Sequence, residues 1–352
     1  MDDIRNTSCG IASAIVARLV GGAVFNTPVI LPDKVDWPSV ILAASDQGLT
    51  AVSYGGVKLL DTSKTPGFQD LLRWDVSSQI VRENFCRKRA AKEHLRDFYA
   101  DSGIRMLILK GETLADNYPR PEERESGDLD IMLFEDFENG NRMAEAAGIK
   151  VDYGNSKHTN FFFEGVEIEN HDPAPHPSYD RCDYQTEVIT AEHLCDAVKR
   201  EDGCWELPPI ISGLYNVNHI AHHLYLNDRI PMKMMLDLAL LIRRHPEIES
   251  GWGPYLEKCG LADFASALLS GIGFLFEGSG VGAYAARGSG SPLAAKGEAL
   301  ARDFVLCECP RRLRILRKYR YLPRTVGELA REMYVKVTRV AGARLFGRFR
   351  KG

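Results

Sequence analysis

The most constraining feature of this sequence is a short apolar run, DLDIMLF, that begins with two acids one residue apart. The run is predicted to be a β-strand, in which side chains alternate between faces, so Asp128 and Asp130 project from the same face. Two neighbouring carboxylates destabilise a sheet unless a cation lies between them, and clustered oxygen ligands favour Mg²⁺. The chain is therefore expected to fold around a strand that carries part of a metal site.

A second predicted strand, GVEIENH, repeats this arrangement and places Glu167, Glu169 and His171 on one face. If the two strands are neighbours, the carboxylates of Asp128, Asp130 and Glu169 meet. The alternative is that the first pair of acids arises by chance and that Glu167 and Glu169 form the solvated face of an edge strand.

Upstream of both strands, the stretch LILKG predicts a buried strand that ends at a glycine-bearing turn before a short helix. In this geometry, backbone N–H groups and the helix dipole favour an anion such as a triphosphate. A carboxylate cluster for metal beside a basic turn for phosphate is what phosphoryl or nucleotidyl transfer requires. The residues expected to contact the nucleotide are Lys110, Gly111, Thr113, Arg124 and Gly127.

The hydrophobic periodicity divides the chain into five predicted regions. They are a helical N-terminal region (1–100), a mixed core (101–185), a helical C-terminal domain (186–276), a Gly/Ser-rich loop (277–291) and a basic helical tail (292–352). Core strands are expected within 102–111, 128–134, 149–153, 159–163 and 165–171. Helices are expected near 37–45, 69–99, 137–147, 213–226 and 232–243, and Asp36 is expected to cap the first of them. The whole segment 188–275 has helical periodicity.

The composition, with 45% hydrophobic and 26% charged residues, excludes a disordered protein. No stretch approaches the roughly eighteen uninterrupted apolar residues that a membrane span needs. The N-terminal residues include acids where a secretory signal has lysines, so a cytoplasmic location is expected. The eight cysteines are scattered and are expected to be reduced, and a zinc site of Cys307 and Cys309 with Cys204 and His193 would need a coincidence of folding.

The charge is distributed unevenly along the chain. Residues 311–352 contain 14 Lys and Arg against 2 Glu, about +12, which leaves 30 basic against 46 acidic residues, about −16, in residues 1–310. We expect this tail to dock on the acidic body through an apolar face at helical spacing. That face consists of Leu313, Leu316, Tyr319 and Leu322. The alternatives are binding to a membrane surface, to nucleic acid or to another anionic partner.

Two further pairs lie at helical spacing. His219 and His223 share a helix face and are expected to be core or domain-interface histidines that help to close a nucleotide cleft. Lys233 and Asp237 are expected to form an ordinary ion pair.

The stretch LILKGETLADNYPRPEERESGDLDIMLF resembles the signature of an uncharacterised bacterial nucleotidyltransferase family in the polymerase-β superfamily. In that family a third acid precedes a histidine by two residues, which matches Glu169 and His171, although Glu replaces Asp and Asn170 replaces a hydrophobic residue. His158 lies where a histidine often precedes the third acidic strand. The resemblance covers roughly residues 36–245.

The resemblance implies an α+β fold, with a polymerase-β-like core of a small mixed sheet and helices, flanked by helical N- and C-terminal regions. It also implies a nucleotidyltransferase that uses Mg²⁺ (or Mn²⁺), held by Asp128, Asp130 and Glu169, to move an NMP group from an NTP to an acceptor with release of pyrophosphate. The acceptor is expected to be a small molecule or protein rather than nucleic acid, because no nucleic-acid-binding signature accompanies the tail. The alternatives are a non-catalytic nucleotide-binding or regulatory protein on the same fold, and a phosphotransferase.

Overall fold

The computed structural model describes residues 2–154, 157–176, 181–281, 291–309 and 311–322. Within these ranges the helices, in chain order, are α1 (Asp2–Phe25), α2 (Trp37–Asp46), α3 (Thr50–Val57), α4 (Phe68–Ala100), α5 (Glu112–Ala115), α6 (Phe137–Ala146), α7 (Arg181–Glu192), α8 (Pro209–Asn227), α9 (Met232–Arg244), α10 (Glu247–Gly251), α11 (Gly253–Cys259), α12 (Ala262–Leu275), α13 (Pro292–Leu300) and α14 (Arg311–Arg317). The strands are β1 (Leu107–Ile108), β2 (Leu129–Met132), β3 (His158–Phe163), β4 (Val166–His171), β5 (Val198–Lys199) and β6 (Trp205–Glu206).

The strands form one mixed sheet in the order β3-β4-β2-β1-β6-β5. β2 pairs with β4 and β1 with β6 in parallel, whereas β1 pairs with β2, β3 with β4 and β5 with β6 in antiparallel fashion. Helices precede this sheet in the sequence and follow it. The predicted α+β class, with a small mixed sheet between helical regions, is therefore confirmed.

The strands β3 and β4 form a tight hairpin. Phe163 pairs with Val166, so that Glu164 and Gly165 alone form the turn. Both turn residues have positive φ, 49° and 75°, which suits the type I′ turn whose twist matches that of the strands. This turn fixes the register of the hairpin and places His158 directly opposite His171, at the far end of β4.

The two faces of the sheet pack against different cores. Leu129 belongs to the smaller core together with Leu95 of α4, and Met132 belongs to the larger core together with Val217 of α8. Because side chains alternate along β2, Asp130 shares the face of Met132. The acidic residues therefore point away from α4 and toward the helical C-terminal region.

The N-terminal helices pack closely on one another. The expected cap of α2 is present, since the Asp36 carboxylate accepts hydrogen bonds from the Ser39 backbone N–H (3.4 Å) and hydroxyl (2.6 Å). A Cβ atom at Gly56 of α3 would lie 2.1 Å from the Leu19 carbonyl oxygen of α1. Only glycine therefore allows these two helices to approach as they do.

A buried glutamine joins this region to the C-terminal helices. Gln47 follows α2, and its side chain donates to the Val305 carbonyl (2.8 Å) and accepts from the Met232 backbone N–H (2.7 Å). The N-terminal region therefore forms part of the same packed body as α9.

Two predictions about the sheet were wrong. The segment 188–275 was predicted to be helical, yet β5 and β6 lie within it. Each has only two residues, too few to show a period-2 pattern, and β6 exists because it pairs with the open edge of β1. The strand predicted near 149–153 is reduced to a single bridge between Asp152 and Asn160.

The first part of the tail contacts the body, but not through the predicted face as a whole. Leu322 is buried, whereas Leu313 is 40% exposed. Lys318 forms a buried ion pair with Asp228 at 2.9 Å. Residues 323–352, and 282–290 of the Gly/Ser-rich loop, lie outside the described residues, so docking of the whole tail stays a prediction.

Among the described helices, none combines the length and the apolar character needed to cross a membrane. Cys86, Cys195, Cys204 and Cys259 are free thiols, as expected. Two groups of described residues are compact enough to share a metal ion, and neither contains a cysteine.

Candidate active site

The three acids singled out in the sequence lie together on one face of the sheet. Asp128 directly precedes β2, and Asp130 within β2 is the register partner of Glu169 in β4. Each of the three offers a carboxylate oxygen, and these oxygens lie within 4.8 Å of one another. Carboxylate oxygens are the ligands that Mg²⁺ prefers, so this donor set fits that ion.

Asp130 is the most buried of these acids, with 2% of its side chain exposed. The Lys110 ammonium lies 2.9 Å and His171 Nε2 3.1 Å from its Oδ1 atom. Burial by itself would raise the pKa of Asp130, but the charge of Lys110 and the hydrogen bond from His171 hold it well below the usual range. Asp130 is therefore ionised in the folded protein.

Two histidines flank Glu169. His171 Nε2 lies 3.6 Å from Glu169 Oε2, and His158 Nε2 lies 3.7 Å from Oε1. Burial opposes the charged form of His171, yet the hydrogen bond to Asp130 and the nearby Glu169 carboxylate raise its pKa. For His158 burial wins and lowers the pKa, which favours a neutral imidazole.

A lysine that the sequence analysis missed holds the loop before β2. The buried Lys88 ammonium of α4 donates to Ser126 Oγ (2.7 Å) and to the carbonyls of Gly127 (2.6 Å) and Asp128 (2.9 Å). Desolvation lowers the pKa of Lys88 to about 8. In sequence it is one of many charged residues along an amphipathic helix, so no local signal distinguishes it.

The Lys-Gly turn after β1 is formed as expected. Gly111 has a φ of 76°, a conformation that side chains other than glycine rarely adopt, and α5 begins at the next residue. Lys110 and Gly111 line a cavity of about 370 Å³ together with Gly127 and both aspartates. With Arg124, which lines the same cavity, six of the predicted contacts of the nucleotide and metal share this space.

Thr113 lies elsewhere. It lines a separate cavity of about 570 Å³, whose walls include Arg89 and Asp116. The structure therefore does not bring Thr113 to the cavity that contains Lys110 and Gly111.

Arg124 lines the 370 Å³ cavity, but its guanidinium binds another side chain of the protein. Its guanidinium makes two hydrogen bonds of 2.8 Å to Asp237 of α9, and the Tyr118 hydroxyl donates to the same carboxylate at 2.7 Å. Burial opposes the charge of Arg124, but Asp237 more than compensates and raises the pKa. This buried pair joins the loop before β2 to α9.

The expected ion pair between Lys233 and Asp237 is not formed, because Asp237 binds Arg124 instead. Lys233 donates to the Glu125 carbonyl at 2.9 Å, and its ammonium lines the same cavity as Lys110. Desolvation lowers the pKa of Lys233. It is a second basic residue of the cavity that sequence reasoning did not assign.

His219 and His223 of α8 face this cavity, with ring centroids 5.1 Å apart. Burial lowers the pKa of both, to about 4 for His223 and well below the ordinary value for His219. The pair therefore presents neutral imidazoles to the cleft at neutral pH.

A second cavity of about 270 Å³ adjoins the first. Lys110 and His219 line both cavities, and Glu169, His171 and Tyr215 line the second. The acids thus stand between two spaces, with Asp128 and Asp130 on one side and Glu169 on the other.

The sequence matches the model of a known protein family. The model of a family described as an uncharacterised nucleotidyltransferase matches residues 33–276, a range that contains the sheet, all three acids and the helices α2 to α12. No curated protein and no solved structure matches the chain.

Proposed function

Because the chain belongs to this uncharacterised nucleotidyltransferase family, we propose that it moves an NMP group from an NTP to an acceptor and releases pyrophosphate, in a reaction that requires Mg²⁺ or Mn²⁺. The observation that carries the proposal is the cluster of Asp128, Asp130 and Glu169 between two cavities. Such a cluster next to basic groups suits transfer between a triphosphate and a second substrate.

In this proposal Asp128, Asp130 and Glu169 hold the divalent ions. Bound Mg²⁺ supplies charge neutralisation on the triphosphate and stabilises the attacking and leaving oxygens. Lys110 and His171 bind Asp130 and so compensate part of the negative charge of the three acids. These contacts keep the Asp130 carboxylate ionised and oriented. Lys88 positions Asp128 indirectly, because it fixes the backbone carbonyl of that residue.

The 370 Å³ cavity is the proposed NTP site. Lys110 and Lys233 supply positive charge there, and the backbone of Gly111 and Gly127 allows close approach of a phosphate. Arg124 contributes in this proposal by holding α9 against the cavity through Asp237, rather than by contacting phosphate.

The 270 Å³ cavity is the proposed acceptor site. An acceptor hydroxyl there attacks the α-phosphorus, a new P–O bond forms, and the bond to the bridging oxygen breaks so that pyrophosphate leaves with the electron pair. Glu169 faces this cavity and is positioned to take the hydroxyl proton. His219, which lines both cavities, separates the two substrates.

The proposal is tested by incubating the protein and Mg²⁺ with each of the four α-labelled NTPs and a cell extract. We expect α-label to move to an acceptor with pyrophosphate release, and Asp128→Asn to abolish both. In a parallel incubation with γ-labelled NTPs, transfer of γ-label to an acceptor with release of NDP would instead identify a phosphotransferase. Nucleotide binding without transfer of either label would identify a non-catalytic binding protein and overturn the proposal.

A further inference from the structure

We infer that His158, Glu169 and His171 form a second metal site, selective for a borderline divalent cation such as Zn²⁺ or Co²⁺ over Mg²⁺. The three side chains each offer one ligand atom, and these atoms lie within 4.8 Å of one another. Two imidazole nitrogens and one carboxylate oxygen are the donors of many catalytic zinc sites. The site adjoins the carboxylate cluster: it shares Glu169 with that cluster, and His171 Nε2 also lies 3.1 Å from Asp130 Oδ1, so an ion bound here replaces the proton of that hydrogen bond.

The distances suit ligands that surround an ion. Each imidazole Nε2 lies 3.6–3.7 Å from a Glu169 oxygen, too far for a good hydrogen bond. Ligands at about 2.0–2.1 Å in tetrahedral geometry are separated by about 3.4 Å. Shifts of less than about an ångström therefore bring all three atoms to bonding distance.

The supporting backbone is rigid. The two-residue turn at Glu164 and Gly165 fixes the hairpin register, so His158 and His171 are directly opposite each other on β3 and β4. Glu169 lies two residues before His171 and therefore shares its face. A site built on paired strands keeps its ligand geometry better than one built on loops.

The site is open to ions from the second cavity. The side chains of His158 and His171 are each 17% exposed and that of Glu169 is 21% exposed, and all three line this cavity. Glu169 directs one oxygen toward each imidazole. Because imidazole nitrogen is a poor ligand for Mg²⁺ and a good one for Zn²⁺ and Co²⁺, the donor set determines the selectivity.

The test measures metal binding by calorimetry and by Co²⁺ absorption on the full-length protein, without nucleotide and with Mg²⁺ in large excess. We expect one tight Zn²⁺ or Co²⁺ per chain that Mg²⁺ does not displace, with affinity that falls as the imidazoles are protonated. His158→Ala and His171→Ala should each weaken binding at least about tenfold. His94→Ala is the matched control, because His94 also pairs with a glutamate (2.9 Å) but on the exposed surface.

Asp128→Asn separates this inference from the proposed function. That variant should lose nucleotidyl transfer and retain Zn²⁺ binding, because Asp128 is not a ligand of the histidine site. Loss of Zn²⁺ binding in Asp128→Asn with full binding in His158→Ala would place the ion among the aspartates and overturn the inference. If the histidine variants fail to fold, the wild-type Co²⁺ spectrum decides, since an octahedral all-oxygen signature would equally overturn it.

Discussion

Asp130 of β2 and Glu169 of β4 are direct partners in a parallel strand pair, so two acids 39 residues apart stand side by side on one face of the sheet. Asp130 is nearly inaccessible and bonded to Lys110 and His171, whereas Asp128 lies partly exposed at the start of the strand. The two aspartates are therefore expected to differ in their structural importance even where they share a chemical role.

Asp128→Asn and Asp130→Asn are both expected to abolish Mg²⁺-dependent transfer, but only the second should strongly destabilise the fold. Removing the Asp130 charge leaves Lys110 and His171 without their buried partner, which costs about 3–5 kcal/mol. Urea unfolding at pH 7 measures the difference. Equal stability of the two variants would contradict the assigned role of the Asp130 ion pair.

The ion pair of Asp130 with Lys110 also predicts that the stability of the protein depends on pH. The folded pKa of Asp130 is depressed below the unfolded value of about 3.9, so its stabilisation is present above that pH and is lost as the pH falls below it. Unfolding measured between pH 5 and 2 should therefore show a shallower loss of stability in Asp130→Asn than in the wild type.

Lys88→Met is expected to weaken Mg²⁺ activation and to lower transfer at least about tenfold, because misplacement of a site residue by about 1 Å is costly. The three hydrogen bonds from Lys88 to residues 126–128 are the cause. Lys92→Met is the matched control, since Lys92 is buried on the same helix and pairs with Asp202 (2.7 Å) away from the acids. Equal effects on the Mg²⁺ dependence of the two variants would refute the positioning role.

Arg124→Ala is expected to destabilise the protein by about 3–5 kcal/mol, because it leaves the Asp237 carboxylate buried and unpaired. The double variant Arg124→Met with Asp237→Leu should recover most of this loss, since apolar groups often replace a buried ion pair without cost. Thermal unfolding measures stability, and NTP titration of the double variant tests the remaining role. Near-normal NTP affinity supports a structural role for Arg124, whereas a large loss would indicate contact with phosphate.

Lys110→Ala and Thr113→Val are expected to differ in their effect on KM for NTP. Lys110 lines the cavity of the acids, so its removal should raise KM for NTP at least about tenfold. Thr113 lines the separate 570 Å³ cavity, so its substitution should leave KM unchanged. Steady-state kinetics at saturating Mg²⁺ compares the two variants. A raised KM in Thr113→Val would indicate that Thr113 contacts the nucleotide.

His223 is expected to destabilise the protein at acidic pH. Its folded pKa of about 4 is below the unfolded value of about 6.5, so the unfolded state binds more protons and stability falls as the pH drops through this window. His223→Asn should reduce that loss between pH 6.5 and 4. His94→Asn is the control. Because Glu164 raises the pKa of the exposed His94, His94 does not contribute to the loss of stability at acidic pH.

Local periodicity in the sequence was sufficient for several elements. The alternation of DLDI determined that Asp128 and Asp130 share a side, Asp36 indicated the start of α2, and the 3.6-residue period gave α4 and α9 almost to their ends. These predictions succeed because each depends on residues within one or two turns of one another.

The partners across the molecule were decided by the tertiary structure alone. Whether Glu169 joins the aspartates depends on β4 pairing with β2, and whether Arg124 faces phosphate or Asp237 depends on the packing of α9. The role of Lys88 and the position of Thr113 depend in the same way on which helix covers which side of the sheet. A sequence pattern gives the face on which a side chain lies, but the neighbour it meets there is set by burial of apolar surface over the whole chain, to which residues far apart contribute together.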